Sequence, residues 1–255
     1  MTKMTNLNAD IAEGWGAYDI GNDAELMKII KSASVACGFH AGDPNTMHKL
    51  CMLAKQEGVS VGVHPGFNDL WGFGRRRIQM KPVDLEYMIA YQIGALQAIA
   101  TTVGHKVTHV KAHGALGNLA NDEDEFAMAL GRAIKAVDPK LVYVVMPGRP
   151  SVAAAEKLGL PMLQEIFADR AYQDNGQLVM RGQPGAVIHD AAAAAERILR
   201  ALQDNVMISV TGNKVPVKID SICVHGDTPT AVEMARQVRQ RLLAAGVALK
   251  PYTAA

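Results

Sequence analysis

Residues 59–66 read Val59-Ser60-Val61-Gly62-Val63-His64-Pro65-Gly66, a β-branched run that stops on a histidine, a proline and a glycine. A run this short between chain breakers has the length of a buried strand and not of a helix. The pattern recurs: Thr5–Ala9, Ala33–Ala36, Val59–Val63, Val107–Val110, Leu141–Val145, Pro161–Glu165 and Val217–Val224 all read as short strands spread along the chain. The segments between them carry helix signals. Asn22 followed by Glu25 resembles a capping box opening a helix over Asp23–Lys31, and Asp43-Pro44 reads as N-cap and first-turn proline for Asn45–Glu57. Leu85, Met88, Ile89, Ile93, Leu96 and Ile99 trace one apolar helix face. Thr228-Pro229 opens a last helix with Val232, Ala235, Val238 and Leu242 on one side.

About seven β-α units in a chain of this length fit a closed barrel of parallel strands, folded as one domain over residues 1–255. A doubly wound open sheet is the competing architecture, because alternation does not by itself establish closure. Ala171–Arg181, turning at Asp174-Asn175-Gly176, and Met207–Lys218, turning at Thr211-Gly212-Asn213, read as hairpin insertions. The fold class is therefore α/β, a seven-stranded β/α barrel with two small hairpin insertions.

Apolar residues make up 49% of the chain, ample for a core, and 26 basic against 25 acidic residues leave a charge of +1. That balance argues against nucleic acid or an anionic membrane as partner. Cys37, Cys51 and Cys223 form no C-x-x-C pair, which suits a reducing compartment. With neither a signal-peptide h-region at the start nor an apolar run long enough for a membrane span, a soluble cytoplasmic protein is expected.

Position singles out the polar residues. The first strand runs through Asn8 and Asp10 to Glu13; the second ends in His40 and Asp43; the third gives His64, then Asp69 and Gly72-Phe73-Gly74-Arg75-Arg76-Arg77. The fourth gives Lys111 and His113, the sixth Glu165 with Asp169-Arg170 beyond, and the seventh His225 and Asp227. In parallel α/β folds the carboxyl ends of all strands open on one face, so these groups converge on one mouth. Plainer roles compete at several positions. Asp43 also suits an N-cap, Asp69 a turn and Asp227 a helix start, while the three arginines suit either a solvated patch or a grip on a carboxylate or phosphate. Trp15 and Trp71 either wall the pocket or pack on neighbouring loops. Cys37 reads as packing, His48, His105 and His189 as surface histidines, and the face of His109 is open. There is no G-x-x-x-x-G-K-[ST] loop, G-x-S-x-G elbow or H-E-x-x-H motif, which leaves imidazoles, carboxylates and one lysine suited to proton transfer, charge stabilisation or metal binding.

Seven blocks, in order, resemble the LamB/YcsF family, the A subunits of prokaryotic 5-oxoprolinase. They are Asn6-Leu7-Asn8-Ala9-Asp10-Ile11-Ala12-Glu13-Gly14, Ala36-Cys37-Gly38-Phe39-His40-Ala41-Gly42-Asp43-Pro44, Gly62-Val63-His64-Pro65-Gly66, Gly72-Phe73-Gly74-Arg75-Arg76, Lys111-Ala112-His113-Gly114-Ala115-Leu116, Phe167-Ala168-Asp169-Arg170 and Cys223-Val224-His225-Gly226-Asp227-Thr228-Pro229. The resemblance implies a seven-stranded, TIM-like barrel related to carbohydrate-deacetylase barrels. It also implies a polypeptide that works with two partners, of B and C types, to cleave 5-oxo-L-proline to L-glutamate at the expense of ATP. Lacking a phosphate loop, the chain leaves ATP to a partner or to a site shared through Arg75–Arg77.

On that reading Asp10 or His64 activates water or orients the ring, Lys111 and His113 stabilise charge on oxygen, and His40, Glu165, His225 and Asp227 complete the catalytic cup. Asn8, Glu13, Asp43, Arg75, Arg76, Asp169 and Arg170 are the candidate substrate contacts. Four departures bear on substrate: the family usually reads Lys-Pro-His-Gly-Ala-Leu-Tyr-Asn where this chain has Ala112 and Gly117, and Ala12 and Trp15 stand where glycine and phenylalanine are common. Two other functions compete. One is a stand-alone metal-dependent amidohydrolase or deacetylase with a divalent ion on Asp10, His40 and His64. The other is a non-catalytic subunit that holds a carboxylated ligand.

Overall fold

The computed structural model describes residues 3–227 and 230–252. Among them, seven parallel strands close into a barrel in chain order: β1 (Met4–Ile11), β2 (Ser32–Ala36), β3 (Ser60–His64), β4 (Val107–Val110), β5 (Val142–Val145), β6 (Met162–Phe167) and β9 (Ser221–Val224). β9 pairs back onto β1, Asn6 opposite Ser221 and Ala9 opposite Val224, which decides for the closed barrel over the open sheet. The short antiparallel pair β7 (Val206–Ile208) and β8 (Lys214–Pro216) lies outside the barrel, and β10 (Ala248–Leu249) adds to the start of β1. No helix in this part of the chain is long and apolar enough to cross a membrane.

Eight helices wrap the described barrel: α1 (Asp23–Met27), α2 (Pro44–Glu57), α3 (Pro82–Thr102), α4 (Gly114–Asp122), α5 (Asp124–Val137), α6 (Pro150–Leu158), α7 (Ala191–Asp204) and α8 (Ala231–Ala244). The strands are buried on both faces, but the faces differ. Leu7, Ala9, Ile11, Ala33, Val35, Val61, Val63, Val110 and Ile222 belong to the hydrophobic cluster that the strands share with the helices. The alternate residues, which the registers place together on the opposite face, are Asn6, Asn8, Asp10, Ser32, Ser34, Ser60, His64 and Ser221. The barrel interior is thus lined largely by polar groups. Several are satisfied by strands distant in sequence: Asn6 Nδ2 donates to Ser32 Oγ, Asn8 Nδ2 to Glu165 Oε2, and the Tyr252 hydroxyl pairs with Ser221.

Several sequence expectations change. The Val217–Val224 strand is really β9 alone, because the Val217 N–H bonds Asn205 O outside the barrel and the Asp220 carboxylate accepts the Gln164 N–H. α1 stops at Met27, and Asn22 caps it with its carbonyl and not with its side chain. Met207–Lys218 does fold back as the β7–β8 pair, whereas Ala171–Arg181 turns as expected but closes with a single bridge, Tyr172 to Leu178, and no ladder. The Thr228-Pro229 helix start lies outside the described residues. His109 faces inward, fully buried, its ring edge-on to Tyr252 at 4.4 Å. Burial pushes its pKa down to about 3, as do the charges of Lys111 and His64.

His109 fits because its neighbour across the sheet has no side chain. A Cβ on Gly62 would overlap the imidazole. Gly62→Ala is expected to destabilise the fold by about 1–3 kcal/mol, the usual range for overpacking a core, read as a lower denaturant midpoint with unchanged slope.

Candidate active site

The carboxyl ends of β1, β2, β3 and β4 bring Glu13, His40, His64 and His113 together, one ligand atom from each lying within 4.8 Å of all the others. Glu13 Oε1 is 3.2 Å from both His40 Nε2 and His113 Nδ1, and 3.9 Å from His64 Nε2. The His40 and His113 rings stack at 3.7 Å, and all three imidazoles are buried.

Backbone carbonyls fix two of the ring tautomers. His64 Nδ1 lies 2.7 Å from Lys111 O and His113 Nε2 lies 2.7 Å from Phe73 O; a carbonyl only accepts, so each of these nitrogens carries the proton. In the neutral rings that leaves the lone pairs of His64 Nε2 and His113 Nδ1 facing each other at 3.0 Å beside a carboxylate. Three acceptors converge with no hydrogen among them, an arrangement resolved by an extra proton or by a cation. Carbonyls that set the tautomer of ligating histidines are the usual outer shell of a metal centre, and imidazole with carboxylate suits zinc and its first-row neighbours. The residues present fit a divalent ion. His40 Nδ1 is buried without a partner among the described residues.

Beside this cup lies a second node. The buried Lys111 ammonium is 2.6 Å from Asp10 Oδ1, 3.1 Å from Glu165 Oε1 and 2.8 Å from Cys223 Sγ. Asp10 Oδ2 reaches 3.4 Å from His64 Nε2 and so joins the two groups. Burial opposes charge on Lys111, but Asp10, Cys223 and Glu165 outweigh it and raise its pKa well above that of a free lysine. Burial likewise works against the Asp10 carboxylate, yet His64 and Lys111 hold its pKa well below the ordinary range. Burial also disfavours the imidazolium of His64, but the Asp10 carboxylate carries its pKa above the usual value. His40 moves the other way, lowered to about 3 by burial and by His113, and burial lowers His113 as well.

The remaining expected residues scatter more. His225 Nδ1 pairs with Asp169 at 2.8 Å, with the His225 ring stacked on Phe167. Asp227 binds Arg75 at 2.5 Å, Arg76 is paired to Asp69, and Arg77 meets Glu123 at 2.9 Å. Asp43 caps α2 through the Asn45 and Thr46 N–H groups and also holds the Gly16 N–H. Arg170 donates to Val179 O and Ala186 O, clasping the 171–187 insertion. Trp71 is 97% exposed and Trp15 42%, so neither packs as a closed wall. Cys37 donates to Val35 O, and burial pushes its pKa up to about 12, in keeping with packing. Cys223 received no role from the sequence; its register opposite Asn8 on an inward face is the signal that places it at Lys111.

Residues 5–255 match the LamB/YcsF family. A relative from Bradyrhizobium diazoefficiens, named as the second of its 5-oxoprolinase A subunits, is 54% identical over 98% of each chain. One from Rhodopseudomonas palustris, also named a 5-oxoprolinase A subunit, is 53% identical over 97% of this chain and 98% of its own length. The crystal structure of a lactam utilization protein from Thermus thermophilus superposes with a TM-score of 0.92 at 42% identity, covering 98% of this chain and 100% of that one.

Protein purified without chelator is expected to carry one divalent ion per chain by elemental analysis, and Glu13→Gln combined with His64→Gln to lose it. Metal-free protein that also leaves the visible spectrum of added Co²⁺ unchanged would exclude a metal in the cup.

Proposed function

The chain belongs to the LamB/YcsF family, and from that membership we propose that it is the A subunit of an ATP-dependent 5-oxoprolinase. In this reading it acts with two further subunits, of B and C types, to open the lactam of 5-oxo-L-proline or a related lactam to L-glutamate, with ADP and phosphate formed. The observation that carries the reading is the convergence of Asp10, Glu13, His64, Lys111 and His113 on one mouth of a barrel shared with relatives of that name.

An unactivated lactam resists water because amide resonance stabilises its carbonyl and the ring recloses readily. Phosphorylation of the lactam oxygen makes the ring carbon open to attack, and the enzyme must then supply water, a proton acceptor and a clamp for the ring. Asp10 is tied to Lys111 and held as a carboxylate, so it orients its neighbours; His64, whose Nε2 faces the cup, is the proton acceptor when no ion occupies the cup, since that one lone pair cannot both bind a metal and take a proton. Lys111 supplies the fixed positive charge beside developing negative charge. A divalent ion in the cup would supply Lewis acidity. Arg75, Arg76 and Arg77 each already hold a carboxylate, which favours ATP binding mainly on a partner subunit.

A metal-dependent amidohydrolase working without partners is the second reading, supported by the Glu13-His40-His64-His113 group. The chain assayed alone and then with its B- and C-type partners separates the two. Glutamate release is expected only from the full set with ATP, and His64→Gln and Lys111→Met are each expected to lower its kcat about 100-fold or more, within the range attributed to acid–base or electrostatic groups. Full turnover by the chain alone without ATP would favour the second reading.

A further inference from the structure

His225 stands apart from the other imidazoles at the mouth. His40, His64 and His113 are almost wholly buried, and each turns a ring nitrogen into the cup. His225 keeps 13% of its side chain exposed, and its Nδ1 lies 2.9 and 2.8 Å from the two oxygens of the buried Asp169 carboxylate. A carboxylate so placed fixes both the proton on Nδ1 and the orientation of the ring. Nε2 is then the atom at which the ring takes up and gives away a proton, and it has no hydrogen-bond partner among the described residues. The ring lies beside the lysine node and outside the cup. The β1–β9 register, with Ala9 opposite Val224, sets His225 next to Asp10, and a Cβ on Gly226 would come within 2.5 Å of Asp10 O. Phe167 carries the His225 ring stacked at 5.1 Å and the Lys111 Nζ at 5.4 Å from its centroid. Asp10 thus has His64 on the β2–β3 side, 3.4 Å from its Oδ2, and His225 on the β9 side.

Resting on the lactamase reading above, we propose that His225 is the general acid that protonates the ring nitrogen as the lactam opens, with Asp169 as its positioning residue, and that this step couples ATP cleavage to glutamate formation. Water adding to the O-phosphorylated ring carbon leaves that carbon bearing a hydroxyl, a phosphate ester and the ring nitrogen. If the C–O bond breaks, phosphate departs with the bonding electrons, the hydroxyl sheds its proton, and the lactam re-forms with ATP consumed for nothing. If the C–N bond breaks, nitrogen takes the electrons and needs a proton with them. His225 Nε2–H supplies that proton, the hydroxyl sheds its own to solvent, and the ring opens to an acyl phosphate that a second water hydrolyses to glutamate and phosphate. Phosphate is the far better leaving group until nitrogen is protonated, so a placed acid decides which bond breaks.

The readout is the ratio of phosphate to glutamate released by the reconstituted complex supplied with 5-oxo-L-proline and ATP. Wild type is expected to release one phosphate per glutamate. His225→Gln is expected to raise that ratio about ten-fold or more, within the range attributed to a general acid, because ATP is still cleaved while the ring seldom opens. Asp169→Asn, which keeps an acceptor for Nδ1 but removes the charge, is expected to raise it by less. A merely structural role lowers phosphate and glutamate together, so a ratio that stays at one in both variants, at whatever turnover, would overturn the assignment. A wild-type complex that releases no glutamate from the lactam refutes the lactamase reading itself, and the proton-donor role falls with it.

Discussion

A lysine ammonium sealed inside a barrel is a demand that the rest of the structure has to meet. Lys111 cannot hold its charge there without carboxylates, and they arrive from β1 as Asp10 and from β6 as Glu165. Those carboxylates need donors in turn: Asn8 Nδ2 satisfies Glu165, and Ser221 bridges Asn8 to Tyr252. The polar lining of the barrel is best understood as the support of this one cation. A wholly aliphatic interior would leave the ammonium unpaired, and removal of both carboxylates would leave its charge uncompensated where water cannot reach.

The same demand explains the division between the two groups at the mouth. Asp10 has one oxygen on Lys111 and the other turned to His64, so it belongs to the lysine node and only touches the histidine cup. Glu13, three residues on and past the end of β1, takes the place among the histidines that the sequence reading gave to Asp10. The spacing Asp10-x-x-Glu13 shows two carboxylates after one strand, but which imidazole each meets depends on where β1 stops.

The barrel was legible because β-branched runs, breakers and helix caps recur with the right lengths, and Asp43 capping α2 is a local event that local sequence records well. The polar interior was harder to see. Asn6, Asn8, Ser32, Ser34 and Ser60 look like weak points in short strands until the registers put them on one inward face. The mouth was legible as a set of positions, since residues following parallel strands share a rim, but pairings across it were not. Nothing local indicates that Arg75 would settle on Asp227, 152 positions away, or that Asp169 would orient His225. The short β10 strand and the Tyr252 anchor were missed for the same reason: their partners are Met4, Thr5, Ser32 and Ser60, at the other end of the chain.

Closure of β9 and β10 onto β1 has a consequence for a protein made from one end. β1 leaves the ribosome well before its partners on one side, and that edge stays bare until residues 221–224 and 248–249 have been translated. In that interval, an exposed edge carrying buried-type residues such as Leu7 and Ile11 must be kept from pairing with other nascent chains. The inward-facing Asp10 carboxylate on that strand disfavours adventitious stacking until Lys111 is there to pair with it, so the interior chemistry doubles as protection during synthesis.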